Sequence, residues 1–346
     1  MKVLSNSEVT LMESLVKVSQ DTLRDVLYKF LKQHYKSVIY DKDYLIAEGD
    51  IPIALVAHMD TVFKTPATEL FYDRRKNVMW SPQGMGADDR AGVYAIIQII
   101  KAGYHPHIIF TTDEEKGCIG ASTLASTPCP FKDLRYFIQL DRRGANDCVF
   151  YDCDNENFEK YVETFGFVTA WGSFTDICEL CPAWGAAGVN LSIGYRDEHS
   201  VSEILFVGQM LDTIEKVKQM LSVKNPPKFK YIPMAYTSSL YYDDYDYYYN
   251  YGFKPFYQTK NTRYRCHNCK LSFPGDEVID VKLIKGGKGF YCVDCLMEGT
   301  VEWCTECGEA FEVDPKAPKE TKCKDCRKKG SKGKKDKCVE ILTKQN

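Results

Sequence analysis

Four short apolar runs, Ile53 to Ala57, Ile108 to Thr111, Tyr136 to Leu140 and Val189 to Ile193, constrain the fold of this chain most. They read as buried strands, and longer helical patterns separate them. That alternation predicts an α/β three-layer sandwich with a largely parallel central sheet. Acidic residues and histidines gather just beyond these strands, or just ahead of a helical pattern such as Asp88 to Ala102. In open α/β sheets ligands bind at the strand ends, so a functional site is expected there.

Upstream, from Glu8 to about Gln33, apolar residues recur at helical spacing and predict two amphipathic helices, with an N-cap offered between them by Ser19-Gln20-Asp21-Thr22. A last helical pattern, Glu203 to about Leu221, closes the domain before Asn225-Pro226-Pro227. A chain of 346 residues can bury a sizeable core and hold a smaller appendage. With 44% apolar and 27% charged residues it is not expected to be disordered as a whole. The net charge of -3 discriminates nothing. Ser5-Asn6-Ser7-Glu8 stands where a signal peptide would have its apolar core, and the stretch near Ala91 to Ile100 is too short to span a bilayer. A cytoplasmic protein without membrane contact is expected.

The polar clusters follow one order: His58-Met59-Asp60, Asp88-Asp89, Glu114-Glu115, Asp141 and Glu198-His199. Alone, each also reads as a strand-end polar pair or a helix cap. Together they supply two imidazoles, three carboxylates able to bind or bridge divalent cations, and a further carboxylate free to move a proton. Asp60 lies two residues from His58 and can accept a hydrogen bond from its ring, fixing the tautomer. Asp88 is the better candidate to bridge two cations.

The ordered set His-Met-Asp-Thr, Gly-Ala-Asp-Asp-x-Ala-Gly, Asp-Glu-Glu-x-Gly-x-x-Gly-Ala, Asp and His-Ser resembles the co-catalytic dizinc exopeptidases, most closely the aminotripeptidase branch; Asp-Asp-Arg-x-Gly is also similar to the glutamyl-aminopeptidase branch. The likeness runs over about residues 8 to 222 and takes in Gly172-Ser-Phe-Thr-Asp176. The resemblance implies that His58 and Asp141 hold one metal, Glu115 and His199 the other, with Asp88 between them. It further implies Glu114 as general base and Asp60 as the residue that orients His58. By the same resemblance, an Asp at position 141, as is common in the aminopeptidases and dipeptidases of that family, implies a free-amine peptide substrate. Only 57 residues separate Asp141 from His199, and only 29 separate His58 from Asp88, so the lid or dimerisation insertions of these relatives have no room here.

Cysteine usage changes along the chain, with six of fifteen before residue 266 and nine in the last 81 residues. Cys266-x-x-Cys269, Cys292-x-x-Cys295, Cys304-x-x-Cys307 and Cys323-x-x-Cys326 offer eight ligands, enough for two structural Zn²⁺ ions in tetrahedral sites. Sequential and cross-braced pairings both fit the spacing, and the segment is similar to zinc-ribbon and LIM-like modules only generically. Thiolates kept for zinc imply a reducing compartment. Cys118, Cys129, Cys148, Cys153, Cys178 and Cys181 are read as structural.

Three segments are therefore expected: a catalytic domain over 1–224 without lid insertion, a Tyr/Asp-rich linker over 225–262, and a zinc-binding module with a Lys-rich tail over 263–346. Eight tyrosines between Tyr236 and Tyr251 stand among acids that would repel a phosphate backbone. From Lys316 to Lys337 there are eleven Lys or Arg and three acids, read as a solvated tail with a protein or nucleic-acid partner as the sharper alternative. The leading functional expectation is an aminopeptidase acting on short peptides with two divalent metals, zinc by the resemblance. Hydrolysis of N-acyl amino acids, and an idle scaffold whose tail binds a partner, are the competing readings.

Overall fold

Serine caps start both N-terminal helices in the computed structural model, which describes residues 2–234, 263–274, 278–296, 301–314 and 321–328. The tyrosine-rich run, most of the expected linker and much of the basic run lie outside these residues. In α1 (Asn6–Val16) the Ser5 hydroxyl accepts the Glu8 amide while the Glu8 carboxylate accepts the Ser5 amide, a reciprocal capping box. In α2 (Gln20–His34) Ser19 accepts from the Thr22 amide, and Leu23, Leu27 and Leu31 bury one face.

The chain then runs through β1 (Ser37–Tyr40), β2 (Tyr44–Glu48), β3 (Ile51–His58), β4 (Phe71–Asp73), β5 (Val78–Trp80) and α3 (Ala87–Lys101). After these come β6 (Pro106–Thr111), α4 (Ile119–Ala125), β7 (Phe137–Arg142), β8 (Asp147–Val149), α5 (Glu156–Glu163), β9 (Val168–Thr169) and α6 (Asp176–Trp184). Then follow β10 (Gly188–Ser192), β11 (Tyr195–Arg196), β12 (Ile204–Phe206) and α7 (Val207–Leu221). The main sheet has the order β1-β2-β6-β3-β7-β10-β8-β9. Its four central strands, β6, β3, β7 and β10, are parallel, and antiparallel pairs flank them. One face is covered by α3 with α1 and α7, the other by α4 and α6. On the second face Ala54, Val56, Ile109 and Phe137 meet Ala121, Leu124, Ile177 and Leu180, and Cys118 and Cys181 are packed there as small apolar residues. This is the three-layer α/β architecture that the alternating pattern predicts. A second, small sheet has the order β11-β12-β5-β4.

Two elements depart from the sequence reading. Residues 204–206 pair with β5 as a strand, so the last helix begins at Val207 rather than Glu203. The residues Asp88 and Asp89 have non-helical backbone angles at the start of α3 and share a cis peptide bond. Among the described residues, no helix is long and apolar enough to cross a membrane.

Contacts divide the chain into two compact units. The first holds the residues up to Asn155, Phe165–Lys224 and the segment from Lys230; the second holds Glu156–Thr164, Asn225–Phe229 and the described C-terminal residues. This differs from a single boundary at residue 224 because α5 and Phe229 pack with the cysteine-rich segment. The Phe229 ring lies 4.9 Å from Phe158 and 5.1 Å from Tyr161, and Tyr161 meets Trp303 edge-on at 5.4 Å. In the same unit β13 (Arg263–Arg265) and β14 (Ser272–Pro274) form a hairpin. The strands β15 (Val278–Lys282), β16 (Lys288–Cys292), β17 (Val301–Trp303) and β18 (Ala310–Glu312) form a sheet of order β16-β15-β18-β17, and α8 (Val293–Leu296) follows β16.

Cysteine sulfurs converge in two groups, Cys266, Cys269, Cys292 and Cys295, and Cys304, Cys307, Cys323 and Cys326, each with its sulfurs within 4.8 Å of one another. Pairing is sequential rather than cross-braced. The first pair of each group sits in a turn between two strands, and the group is closed by amides: Cys292 N–H donates to Cys266 Sγ at 3.4 Å and Cys323 N–H to Cys304 Sγ at 3.3 Å. All eight of these cluster cysteines are free thiols.

Candidate metal centre

Six of the seven polar residues singled out in the first unit stand at or just beyond the carboxyl ends of β3, β6 and β7, or at the start of α3, and the seventh, His199, lies in the loop between β11 and β12. The order of the central strands sets this proximity, because β6, β3, β7 and β10 are neighbours and point the same way. His58 ends β3 and is wholly buried. Its Nδ1 lies 3.2 Å from Asp60 Oδ1, which leaves Nε2 facing two carboxylates, Asp88 Oδ1 at 3.1 Å and Asp141 Oδ1 at 3.4 Å. His199 Nε2 lies 3.1 Å from the other oxygen, Asp88 Oδ2, and 3.0 Å from Glu115 Oε1. One carboxylate thus divides its oxygens between two groups that could each hold a metal ion, His58, Asp88 and Asp141 on one side and Asp88, Glu115 and His199 on the other.

A single 3₁₀ turn, Glu114–Lys116, follows β6 and presents the two glutamates. Its amides are anchored by Asp60, whose Oδ1 accepts from Glu114 N–H at 3.0 Å and whose Oδ2 accepts from Glu115 N–H at 3.1 Å. Asp60 therefore holds the His58 ring and the glutamate turn at once. Asp141 is held just as closely: its Oδ2 accepts from Thr175 Oγ1 at 2.8 Å and Gln139 Nε2 at 3.1 Å, and its Oδ1 from Tyr195 Oη at 3.3 Å. Asn190 accepts the Asp141 amide at 2.9 Å and donates to its carbonyl at 2.9 Å.

Crowded carboxylates shift one another. Burial and the neighbouring Asp141 and Asp88 charges push Glu114 up to about 7. Burial and Asp88 do the same for Glu115, also to about 7. Asp141 rises to about 7 through burial and Asp88. Asp88 goes the other way, because its bonds to His199 and His58 outweigh its burial. Hydrogen bonding to Asp88 raises His199 to about 9. Such a surplus of acid around two imidazoles is stabilised by cations. The donor set fits divalent metal: Glu115 Oε1 is buried and makes no aligned hydrogen bond although it lies 3.0 Å from His199 Nε2.

Several residues of the centre carry no signal in the sequence. Asn190, Tyr195 and Glu203 are ordinary polar residues whose partners lie 30 or more positions away, Gln139 joins Asp141 two residues on to Thr175 36 positions away, and only Thr175 falls inside a motif noted beforehand. Glu203, read as a helix start, is instead buried against the first residues of α3.

Residues 46–167 match the sequence model of peptidase family M28. No curated protein matches the sequence. The fold is similar to that of aminopeptidase PepT from Bacillus cereus ATCC 10987, with a TM-score of 0.51 at 15% identity over 61% of this chain and 96% of that one. A tripeptidase from Staphylococcus aureus subsp. aureus Mu50 gives a TM-score of 0.51 at 13% identity, over 61% of this chain and 96% of that one. The TET aminopeptidase from the marine sediment archaeon Thaumarchaeota archaeon SCGC AB-539-E09 gives 0.50 at 14% identity, over 62% and 97%. Residues 46–167 thus match a metallopeptidase family, on an α/β fold similar to that of solved aminopeptidases and with acids and histidines converging as groups that could hold metal ions, and the same chain carries two tetracysteine clusters.

Proposed function

We propose that this metal-dependent exopeptidase is an aminopeptidase that removes N-terminal residues from short peptides, using two divalent cations and Glu114 as general base. The observation that carries the reading is Asp88, whose two oxygens face separate histidines. His58 and Asp141 would hold one cation and Glu115 and His199 the other, with Asp88 shared. Cations held there supply Lewis acidity, polarising the scissile carbonyl and making a water acidic at neutral pH.

The chain supplies the rest. Asp60 accepts the Nδ1 proton of His58, so a neutral ring presents Nε2 to the centre. Through two amides the same carboxylate fixes the turn that carries Glu114 and Glu115. Glu114 is not among the ligand sets, and it takes the proton of the attacking water and delivers it to the leaving amine. The tetracysteine clusters bind structural zinc, which contributes folding free energy to a segment with a small apolar core. A cytoplasmic location suits eight free thiols kept for zinc.

The test is release of N-terminal residues from a mixed peptide pool by the metal-loaded chain and by Glu114→Gln. Cleavage that falls about 10²- to 10⁴-fold in the variant, with metal content unchanged, is the expected result. Equal absence of cleavage in both proteins, or N-acyl amino acids cleaved in place of free-amine peptides, contradicts it.

A further inference from the structure

The helix that carries Asp88 has no cap of its own. Gly86, at its N-cap, has a φ of +65° and no side chain to accept the amides that open α3. Those amides are taken by a residue 115 positions away: Glu203 Oε2 accepts Ala87 N–H at 3.0 Å and Oε1 accepts Asp88 N–H at 3.1 Å. A buried carboxylate is costly unless its oxygens are bonded, and a helix N-terminus offers both donors and a favourable dipole. Glu203 is fully buried, and its own position is fixed on both sides. Its amide donates to the Ser200 carbonyl at 3.1 Å, and the next residue, Ile204, pairs with Trp80 in the small sheet.

Asp88 itself depends on such an anchor. With φ −80° and ψ 103° it stands outside the helical ladder, so the regular hydrogen bonds of α3 do not orient it. The segment from His199 to Glu203 therefore carries a residue of one ligand set at one end and the clamp on the shared carboxylate at the other. We propose that Glu203 is a positioning residue: by binding the amides of Ala87 and Asp88 it sets the Asp88 carboxylate so that its oxygens face His58 and His199 separately. The inference rests on the dimetal reading above.

The test loads the full-length protein, zinc retained in its thiolate sites, with Mn²⁺ at the oxygen- and imidazole-rich centre. Electron paramagnetic resonance then reads whether two Mn²⁺ ions are exchange-coupled through a shared carboxylate. Glu203→Gln keeps the shape but turns an N–H₂ group toward a backbone N–H. In this variant the coupled signal should be lost and Mn²⁺ affinity should fall about 10- to 100-fold, the usual effect of removing an outer partner of a metal ligand. Ser5→Ala, which removes a helix cap far along the chain from these residues, should change thermal stability and leave both readouts alone. Should the glutamine variant not fold, Glu203→Asp keeps the charge on a shorter arm and must also weaken Mn²⁺ binding. Coupling and affinity unchanged in either folded variant reduce Glu203 to a helix cap and overturn the inference. A starting protein without a coupled pair overturns the dimetal reading, and the inference with it.

Discussion

At Gly92 one hydrogen atom decides how closely α3 approaches the sheet. A Cβ there would stand 2.2 Å from the Leu140 carbonyl oxygen and 2.4 Å from the Asp89 carboxylate, which accepts the Gly92 amide at 2.8 Å. In an exposed helix Gly→Ala stabilises by about 1 kcal/mol. Here the backbone of β7 cannot yield, so Gly92→Ala should destabilise by about 1–3 kcal/mol, seen as a lower urea midpoint at constant m-value. A variant as stable as the parent or more so would show that the helix is not in contact with the strand that carries Asp141. At this scale the residues in the ligand sets were legible, because histidines and acids at strand ends are rare enough to notice. Glu203 was not, because its meaning lies in donors that only the folded chain brings to it.

Among elements, strands with uninterrupted apolar runs were read nearly to their ends, while the start of α7 was misplaced because Glu203 mimics a helix cap and residues 204–206 are too short to show alternation. The strand β6 has a polar residue in its core-facing row that the pattern did not explain. His107 is buried, stacked on Phe131 at 4.1 Å between ring centres, and its Nδ1 accepts the Gly49 amide at 3.1 Å. Burial pulls it down to about 4, although Asp133 and Asp50 act in the opposite direction. The folded chain keeps this ring neutral down to about pH 4, whereas the unfolded chain protonates it from about 6.5. Between those values the unfolded state binds more protons, so stability falls as pH falls. The loss in unfolding free energy between pH 7 and pH 4.5 should shrink in His107→Phe. An undiminished loss would mean that this ring takes no part in acid sensitivity.

At the scale of the whole molecule, membership of the two compact units does not follow chain order. Composition marks the cysteine-rich segment clearly, and a linker-like run precedes it. Yet Phe158, Tyr161 and Phe229 join that segment's unit, which periodicity could not reveal because an apolar stripe on a helix does not name its partner. Spacing likewise left the cysteine pairing open, and only the three-dimensional grouping selects the sequential one. With four groups among the described residues that could hold a metal ion, metal content is the most direct test of the account. Elemental analysis of the intact protein should find four divalent ions per chain, and Asp88→Ala should retain two, since its carboxylate belongs to both groups of the first unit and to neither tetracysteine cluster. Retention of three or four ions by the folded variant would contradict a shared carboxylate at the centre.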